Sequence, residues 1–451
     1  MTMRRWLQPG MGIKRWLLVV FAGELLLALA GAFLLRQLYR DVEVTGPLAG
    51  LVQVVTLQFL PYVARGVILA TIGAAMFGYG SYRVVRLLTD PFRAVGDQPF
   101  VEVIYQKRFL ARGPRIVAIG GGTGLSTLLR GLKEHSSNLA AVVTVADDGG
   151  SSGALRETLG VPAVGDIRNC IVALADAEPL MGRLLQYRFP GDPVATIGPS
   201  GRGAEAADRL AGHAVGNLLI AALTAIEDGD FEEGVRHMNR VLAVRGRVLP
   251  VSPVPLTLHA RLGDGSEVAG QSAIGVHSGI DEVWITPEAV EASADAVRAI
   301  EEADAIVIGP GSLFTSILPA MLVPGIQQAV LRSEALRIYV SNVATQVGET
   351  SGFDLARHVE VLERHTAAGV CDIVIADNAA AKPVAPAGWR GESVRLRWPP
   401  DSERVPRLVL EDVVDHANAH HHDPERLAAA VVRIVERETG HRRRTGVART
   451  A

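Results

Sequence analysis

The chain has little cysteine, few aromatic residues and almost no net charge. Its 451 residues include two cysteines and 5% Phe, Trp and Tyr, and the formal charge is −3. Two cysteines exclude a disulfide framework. Because Cys170 and Cys371 both lie in apolar strings, we expect buried, reduced thiols. A charge this close to zero gives no indication of nucleic acid as a partner.

Long apolar runs occur only near the N-terminus. Residues 16–35 read WLLVVFAGELLLALAGAFLL and residues 66–82 read GVILATIGAAMFGYGSY. A bilayer core about 30 Å thick needs roughly 20 apolar residues, and the shorter second run is adequate because arginines flank it. Basic residues precede the first run and follow the second. The positive-inside rule therefore predicts a multi-pass cell-membrane protein with its N-terminus and main domain in the cytoplasm.

A cleaved signal peptide is the alternative interpretation of the first run, because LALAGA offers small residues after an apolar segment. The second run and its basic flank favour a two-helix transmembrane hairpin over residues 1–88. We expect a juxtamembrane linker over residues 89–112, an α/β domain over 113–440 and a basic, disordered tail over 441–451.

Short β-branched runs alternate with helical stretches from Arg115 onward. The runs are RIVAI, AAVVTV, AIVIG, LRIYVS and CDIVIAD. Runs of this kind separated by helices are typical of a parallel sheet covered on both faces. The sequence therefore predicts a Rossmann-like, mostly parallel sheet. Strand-like stretches on either side of Gly263-Asp264-Gly265 add an antiparallel hairpin attached to this sheet.

The first predicted strand runs into a glycine-rich loop. Residues 115–132 read RIVAIGGGTGLSTLLRGL. A strand, a glycine loop and a helix bring backbone N–H groups and a helix N-terminus together, which favours anion binding. The loop lacks both the P-loop lysine and the third glycine of the dinucleotide fingerprint. We predict a phosphate site, with a tight structural turn as the alternative, at Gly120, Gly121, Gly122, Thr123 and Gly124.

A pair of adjacent carboxylates ends the second strand, in VADDGGSSGALR (residues 145–156). Asp147 and Asp148 could hold a metal ion such as Mg²⁺, accept hydrogen bonds from a substrate hydroxyl, or cap the next helix. Strand residues alternate, so we expect one of the two to face the cleft; they are catalytic only if the protein is an enzyme. The ligand-binding candidates here are Asp147, Gly149, Gly150, Ser151 and Ser152.

Three further motifs begin helices. GDIRN (165–169) and HAVGN (213–217) offer polar groups that either cap a helix or contact a ligand. IVIGPGSLFTSILP (306–319) repeats the pattern of strand, glycine loop and helix. Two such loops at parallel strand ends would face one crevice. The candidates are Asn169, His213, Asn217, Gly309, Pro310, Gly311 and Ser312.

A histidine cluster, HANAHHHD (residues 416–423), precedes the last helix. His416 and His420 have the i, i+4 spacing of metal ligands, but no acidic companion motif accompanies them. We interpret this segment as a solvated loop.

Affinity arithmetic favours a ligand that spans several loops. A hydrogen bond to a charged group contributes roughly 1.5–3 kcal/mol, and association costs at least about 4 kcal/mol. Micromolar affinity needs about 8 kcal/mol net, which one loop barely supplies. A diphosphate shared by two loops reaches it, so the sequence indicates a nucleotide or nucleotide-sugar.

The motifs AIGGGTG, TVADDGGSSGALR, GDIRN, HAVGNLLI and IGPGSLFTSILP, in this order, resemble the gluconeogenesis factor (YvcK-like) family. That family belongs to the CofD-like superfamily, whose other branch holds the 2-phospho-L-lactate transferases of deazaflavin coenzyme synthesis. The resemblance implies a CofD-like nucleotide-binding domain. The segment RVLPVSPVPLTLHARLGDGSEVAGQSAIG resembles the gluconeogenesis factor branch, since Ser252, Pro253 and Val254 stand where the transferases tend to carry an acidic pair.

The resemblance implies a protein that binds a UDP-sugar of the UDP-N-acetylglucosamine type and regulates cell shape, envelope synthesis and carbon metabolism. A protein partner in envelope synthesis and self-association are further expectations. The alternative is a Mg²⁺-dependent phosphotransferase of the 2-phospho-L-lactate transferase type. A third hypothesis, an NAD-linked oxidoreductase with His213 as the proton-transfer residue, lacks the dinucleotide fingerprint.

Overall fold

A computed structural model describes residues 109–176, 179–190, 210–379, 391–398 and 406–440, with isolated positions 24, 28, 60, 61, 64, 68, 71, 79 and 384. The chain divides into two compact units, residues 1–109 with 446–451 and residues 110–445. Apart from isolated positions, the predicted membrane runs 16–35 and 66–82 lie outside the described residues, as do nearly all of the predicted linker and the tail 441–451.

No single helix in the described part of the chain is long and apolar enough to cross a membrane. One bent pair of helices, Leu313–Met321 and Pro324–Arg332, is together long and apolar enough to span a membrane, by length and composition only. The first member of this pair is buried in the core of the domain.

The main sheet has seven strands: β1 (Ile116–Gly120), β2 (Leu139–Val143), β3 (Arg247–Pro250), β7 (Ala305–Ile308), β8 (Leu336–Val340), β9 (Ile373–Asp377) and β10 (Arg407–Glu411). Their order is β10-β9-β8-β7-β1-β2-β3, and every neighbouring pair is parallel. All five runs predicted from the sequence are strands of this sheet. The two edge strands, β3 and β10, were not predicted.

The inner strands are apolar on both faces because helices cover both sides of the sheet. Every residue of β1, β2 and β7 is buried. The helices are α1 (Gly122–Leu132), α2 (Gly150–Leu159), α3 (Gly165–Leu174), α4 (Pro179–Gln186), α5 (Val215–Ile226), α6 (Phe231–Val241), α7 (Gln271–Ile274), α8 (Ala294–Glu301), α9 (Leu318–Met321), α10 (Pro324–Arg332), α11 (Leu355–His365) and α12 (Pro424–Thr439). A 3₁₀ turn, Leu110–Arg112, precedes β1, and a π-helical turn, Leu313–Ile317, precedes α9.

The predicted antiparallel hairpin is present as β4 (Thr257–Leu262) and β5 (Glu267–Ala269). It does not extend the main sheet. Instead β4 also pairs with β6 (Ile280–Thr286), so that the three strands form a separate antiparallel sheet. A third, two-stranded sheet consists of β11 (Val414–Asp415) and β12 (Asn418–His422).

Both cysteines are buried and free, which confirms the expectation of reduced thiols. Burial raises the pKa of the Cys170 thiol well above its usual range and raises the pKa of Cys371 to about 12. Neither thiol is therefore poised as a nucleophile.

Candidate functional site

The order of the strands creates a crevice between β1 and β7. These two strands are parallel neighbours at the centre of the sheet. Along the chain, β1 is followed by β2, which lies on the side of β1 away from β7. Likewise β7 is followed by β8, which lies on the side of β7 away from β1. Open α/β sheets bind their ligands at the carboxyl ends of the strands where the connections diverge in this way. Both predicted glycine loops begin at this crevice.

The two glycine loops touch each other through their backbones. A Cβ atom on Gly124 would lie 2.6 Å from the carbonyl oxygen of Pro310, and one on Gly311 would lie 3.3 Å from the carbonyl oxygen of Gly121. Gly122 has φ +68, a left-handed conformation that side chains other than glycine rarely adopt. The glycines therefore permit the backbones of the two loops to meet.

A cavity of about 300 Å³ opens beside these loops, a volume at the lower end of the range for ligand pockets. It is also bordered by the segment after β8, where the Gln346 Nε2 group donates a 2.5 Å hydrogen bond to Ser312 Oγ. The lining residues are Gly121, Gly122, Thr123, Gly124, Thr127, Pro310, Gly311, Ser312, Ser316, Asn342, Val343, Ala344, Thr345, Gln346, His420, His421 and His422.

The first turn of α1 borders this cavity. Gly121 is the N-cap residue of α1, and no side chain caps the helix at that position. Backbone N–H groups at a helix N-terminus favour a negatively charged ligand. The hydroxyls of Ser126 and Thr127 each donate a 2.9 Å hydrogen bond to the carbonyl of Thr123, and the Thr123 side chain is exposed.

The second glycine loop leads into a helical turn that an internal carboxylate caps. Glu349 accepts a 2.5 Å hydrogen bond from Thr315 Oγ1 and further bonds from the backbone N–H groups of Phe314 and Thr315. Burial raises the pKa of Glu349 to about 7. Of the loop itself, Pro310, Gly311 and Ser312 line the cavity. Sequence reasoning noted the polar run SNVATQVGET (residues 341–350) but did not select Glu349 within it.

The two predicted carboxylates at the end of β2 point to different partners. Asp147 Oδ1 accepts a 3.0 Å hydrogen bond from the backbone of Gly149, and its Oδ2 would lie 2.9 Å from a Cβ on Gly165 at the start of α3. Asp148 Oδ1 accepts a 2.9 Å hydrogen bond from the backbone of Ser272 in α7. Asp148 therefore holds the segment that connects β5 to β6 in the small antiparallel sheet, whereas Asp147 lies beside the start of α3.

Asp166 is a carboxylate that sequence reasoning did not select, although it stands within the GDIRN motif. It is buried, accepts a hydrogen bond from the backbone N–H of Gly122, and its Oδ2 would lie 2.5 Å from a Cβ on Gly121. Burial, together with the charge of Asp147, raises the pKa of Asp166 to about 6. Its Oδ2 atom makes no hydrogen bond within the described residues. A buried carboxylate thus adjoins the first glycine loop.

Ser151 in α2 forms a hydrogen-bonded cluster with His213 and Asn217 at the start of α5. Ser151 Oγ lies 3.1 Å from His213 Nδ1 and accepts a 3.0 Å hydrogen bond from Asn217 Nδ2. Ser152 Oγ accepts a hydrogen bond from the backbone of Gly165. Gly149 is the N-cap residue of α2 and Gly150 its first residue.

Three atoms of buried side chains in α3 and α5 have no hydrogen-bond partner in the described part of the chain. They are Arg168 Nε, Arg168 Nη1 and Asn217 Oδ1, and the remaining terminal nitrogen of Arg168 donates to Asn169 Oδ1. Buried polar groups are almost always hydrogen-bonded, so such a group of exceptions indicates contacts that a ligand or water would complete.

The histidine cluster is not a solvated loop, and that prediction was wrong. Residues 418–422 form strand β12, and His420, His421 and His422 line the cavity. His422 is buried and its Nε2 group bonds to the carbonyl oxygen of Ser341 at the end of β8. No group of His, Cys, Asp and Glu side chains suited to a metal ion occurs among the described residues.

A family model described as 2-phospho-L-lactate transferase CofD matches residues 116–407. A putative gluconeogenesis factor of Clostridium acetobutylicum is 42% identical over 385 residues, covering 83% of this chain and 78% of that protein. The chain belongs to the gluconeogenesis factor family. The family resemblance predicted from the motifs is thereby confirmed.

Two further relatives differ in how much of the chain they match. The gluconeogenesis factor of Bacillus subtilis is 44% identical over 60% of this chain and 80% of its own length. A putative gluconeogenesis factor of Deinococcus radiodurans is 38% identical over 96% of this chain and 89% of its own length. Since residues 109–451 make up 343 of the 451 residues, the second match extends well into the segment before residue 109.

A crystal structure of a member of the UPF0052 family from Bacillus halodurans matches the fold with a TM-score of 0.62 at 38% sequence identity. It covers 71% of this chain and 99% of the B. halodurans chain.

Proposed function

We propose that this member of the gluconeogenesis factor family binds a nucleotide-sugar of the UDP-N-acetylglucosamine type and reports its level to envelope synthesis and carbon metabolism. The observation that supports binding is the cavity between two touching glycine loops at the central crevice of the sheet. The link to carbon metabolism rests on the name that the relatives carry, and the choice of a UDP-sugar rests on the family resemblance.

The cavity suits a diphosphate better than a single phosphate. Backbone groups of two loops and the side chains of Ser312 and Gln346 border it. Several hydrogen bonds to charged oxygens, at roughly 1.5–3 kcal/mol each, offset an association cost of at least about 4 kcal/mol. Micromolar affinity needs a net of about 8 kcal/mol, which about four to eight such bonds would supply.

Calorimetric titration of the full-length chain with UDP-N-acetylglucosamine tests this proposal. We expect saturable, micromolar binding and, by chromatography of the mixture, no consumption of the ligand. A lack of heat at millimolar ligand would contradict it. Gly124→Ala should abolish binding because its Cβ would displace Pro310, and Gly182→Ala, on the surface helix α4, should bind as the wild type does.

Membrane tethering is part of the proposal and rests on the two apolar runs, residues 16–35 and 66–82. After membrane preparation, the chain should resist extraction at alkaline pH and dissolve only in detergent. Release by alkali, or an N-terminal sequence that begins after LALAGA, would contradict a transmembrane hairpin. Self-association stays a prediction that sedimentation of the detergent-solubilised chain tests.

A second candidate function is metal-dependent phosphotransfer, and the juxtaposition of Asp147 and Asp166 beside the first glycine loop favours it. Asp166 Oδ2, buried and without a hydrogen-bond partner in the described chain, fits a cation such as Mg²⁺, which takes one or two carboxylates together with phosphate oxygens. Bound there, the cation would neutralise phosphate charge. The residues of the chain itself would orient the donor, because the α1 N-terminus and Ser312 would hydrogen-bond to its phosphates.

The assay for this candidate is Mg²⁺-dependent consumption of a nucleotide-activated phospholactate donor. Asp147→Asn and Asp166→Asn should each abolish turnover. Asp148→Asn should preserve it, because Asp148 contacts α7 and not the loop. Equal activity in the wild type and in both Asp147→Asn and Asp166→Asn would exclude the assigned roles.

A further inference from the structure

The cavity between the glycine loops has an unusual charge composition. Its lining contains glycine, proline, valine, alanine, hydroxyl and amide side chains, and three histidines. Of the residues that line it in the described chain, the histidines are therefore the ionisable ones, and no lysine or arginine is among them. A phosphate in this cavity would meet backbone amides, hydroxyls and imidazoles.

The strand that carries the histidines is fixed to the main sheet. His422 is buried, and its Nε2–H group donates a 3.1 Å hydrogen bond to the carbonyl oxygen of Ser341, which follows β8. Burial lowers the pKa of His422 to about 4, so this ring is neutral at physiological pH. His422 thus anchors β12, whereas His420 and His421 are exposed at the opening of the cavity.

Charged side chains stand on the elements packed against β12, and the carboxylate of Asp377 acts on the neighbouring His422. Desolvation and the adjacent His421 lower the pKa of His420. The elements in contact with β12 carry Asp415 on β11 and Arg130 at the end of α1. On the same hairpin, His416 faces the other way, toward Asp412 and Arg426, and does not line the cavity. The hairpin therefore offers two imidazoles to the cavity and a third, His416, that serves as an internal comparison.

We propose that His420 and His421 contact the phosphates of the bound nucleotide-sugar and supply the cationic charge that the cavity otherwise lacks. This inference rests on the proposed function. A diphosphate esterified at both ends keeps one negative charge on each phosphate, and two imidazolium rings match this charge. Binding should therefore strengthen as the rings become protonated and weaken as they lose their protons.

The test is titration of the full-length chain with UDP-N-acetylglucosamine at pH 6 and pH 8. The phosphates of this ligand do not titrate over that interval, so a change in affinity reports on the protein. We expect the wild type to bind about three- to tenfold more tightly at pH 6. The double variant His420→Gln/His421→Gln should lose most of this difference and keep only the part contributed by Asp166 and Glu349, whose pKa values of about 6 and about 7 lie within the interval. His416→Gln should behave as the wild type. Uridine, which has no phosphate, should not distinguish the variants.

A second measurement keeps the inference testable if the double variant folds poorly. In the wild type, the imidazole ¹H and ¹⁵N resonances followed with pH should show the pKa values of His420 and His421 rising when the ligand binds, because binding and protonation are linked. Binding with no pH dependence and with unshifted imidazole pKa values overturns this inference alone. Absence of any binding to the wild type overturns the proposed function, and this inference with it.

Discussion

The Cα of Gly124 faces the carbonyl oxygen of Pro310 so closely that a Cβ atom on Gly124 would lie 2.6 Å from it. Gly124 belongs to the loop after β1 and Pro310 to the loop after β7. The absence of a side chain at one position thus allows the backbones that follow the two central strands to meet.

Replacing Gly124 by alanine should therefore separate the loops. We expect a loss of stability of about 1–3 kcal/mol from overpacking and a loss of nucleotide-sugar binding. Urea denaturation and calorimetric titration measure the two effects. Gly182 in α4 is the matched control, because its Cβ would meet nothing closer than 3.9 Å. Gly182→Ala should stabilise by about 0.5–1 kcal/mol, and equal behaviour of the two variants would contradict the contact.

Ser151 connects α2 to α5 through His213 and Asn217. Ser151→Ala leaves the buried Asn217 amide without this acceptor, so we expect a cost of about 1–3 kcal/mol in the free energy of unfolding and weaker ligand binding. Ser266→Ala removes a hydroxyl of the same type from an exposed turn, where it donates to Asp264. That control should change stability by less than about 0.5 kcal/mol. A Ser151→Ala variant as stable as the control would show that this cluster is not cooperative.

Glu349 should make stability depend on pH. Its folded pKa of about 7 exceeds the ordinary glutamate value of 4.5, so its favourable contribution is complete below about pH 4.5 and is lost as the pH rises through about 7. In urea denaturation from pH 4.5 to 8, the wild type should lose on the order of 2–3 kcal/mol relative to Glu349→Gln. Parallel pH profiles for the two proteins would contradict a buried, destabilised carboxylate.

Asn239, in α6, hydrogen-bonds to the outer edge of β3, one of the two edge strands of the main sheet. Its side-chain amide donates to the carbonyl of Val248 in β3 and accepts from the N–H of the same residue. Asn239→Leu removes both bonds, and we expect a loss of about 1–3 kcal/mol together with concentration-dependent aggregation from the exposed edge. Arg240→Ala, on the exposed face of the same helix, is the control. Light scattering that does not distinguish the two variants would contradict this role.

The inner strands and the glycine loops could be predicted because their signals are local. A strand buried on both faces needs consecutive apolar residues, and β1, β2, β7, β8 and β9 show them. The edge strands were missed for the opposite reason. Strand β3 spans four residues, and β10 is only partly buried, so neither carries a long apolar run.

The partners of polar residues could not be predicted in the same way. Asp166 is an ordinary acidic residue in the first turn of a helix until the fold buries it against Gly121. Glu349 is one polar residue among several in a turn, and its buried position depends on the helical turn that follows β7. The side chains of the histidine segment could equally have faced solvent, and it is their attachment to Ser341 that places them at the cavity.

The sequence by itself determined the fold class, the family and the two glycine loops, because backbone conformation and burial of whole strands follow from neighbouring residues. Only the tertiary structure decided which polar side chains lie at the candidate site: Asp166 against the first glycine loop, Glu349 behind the second, and His420 and His421 at the opening of the cavity. The physical reason is that charge, burial and hydrogen bonding of a polar side chain depend on groups that are distant in the chain and that the packed sheet brings together.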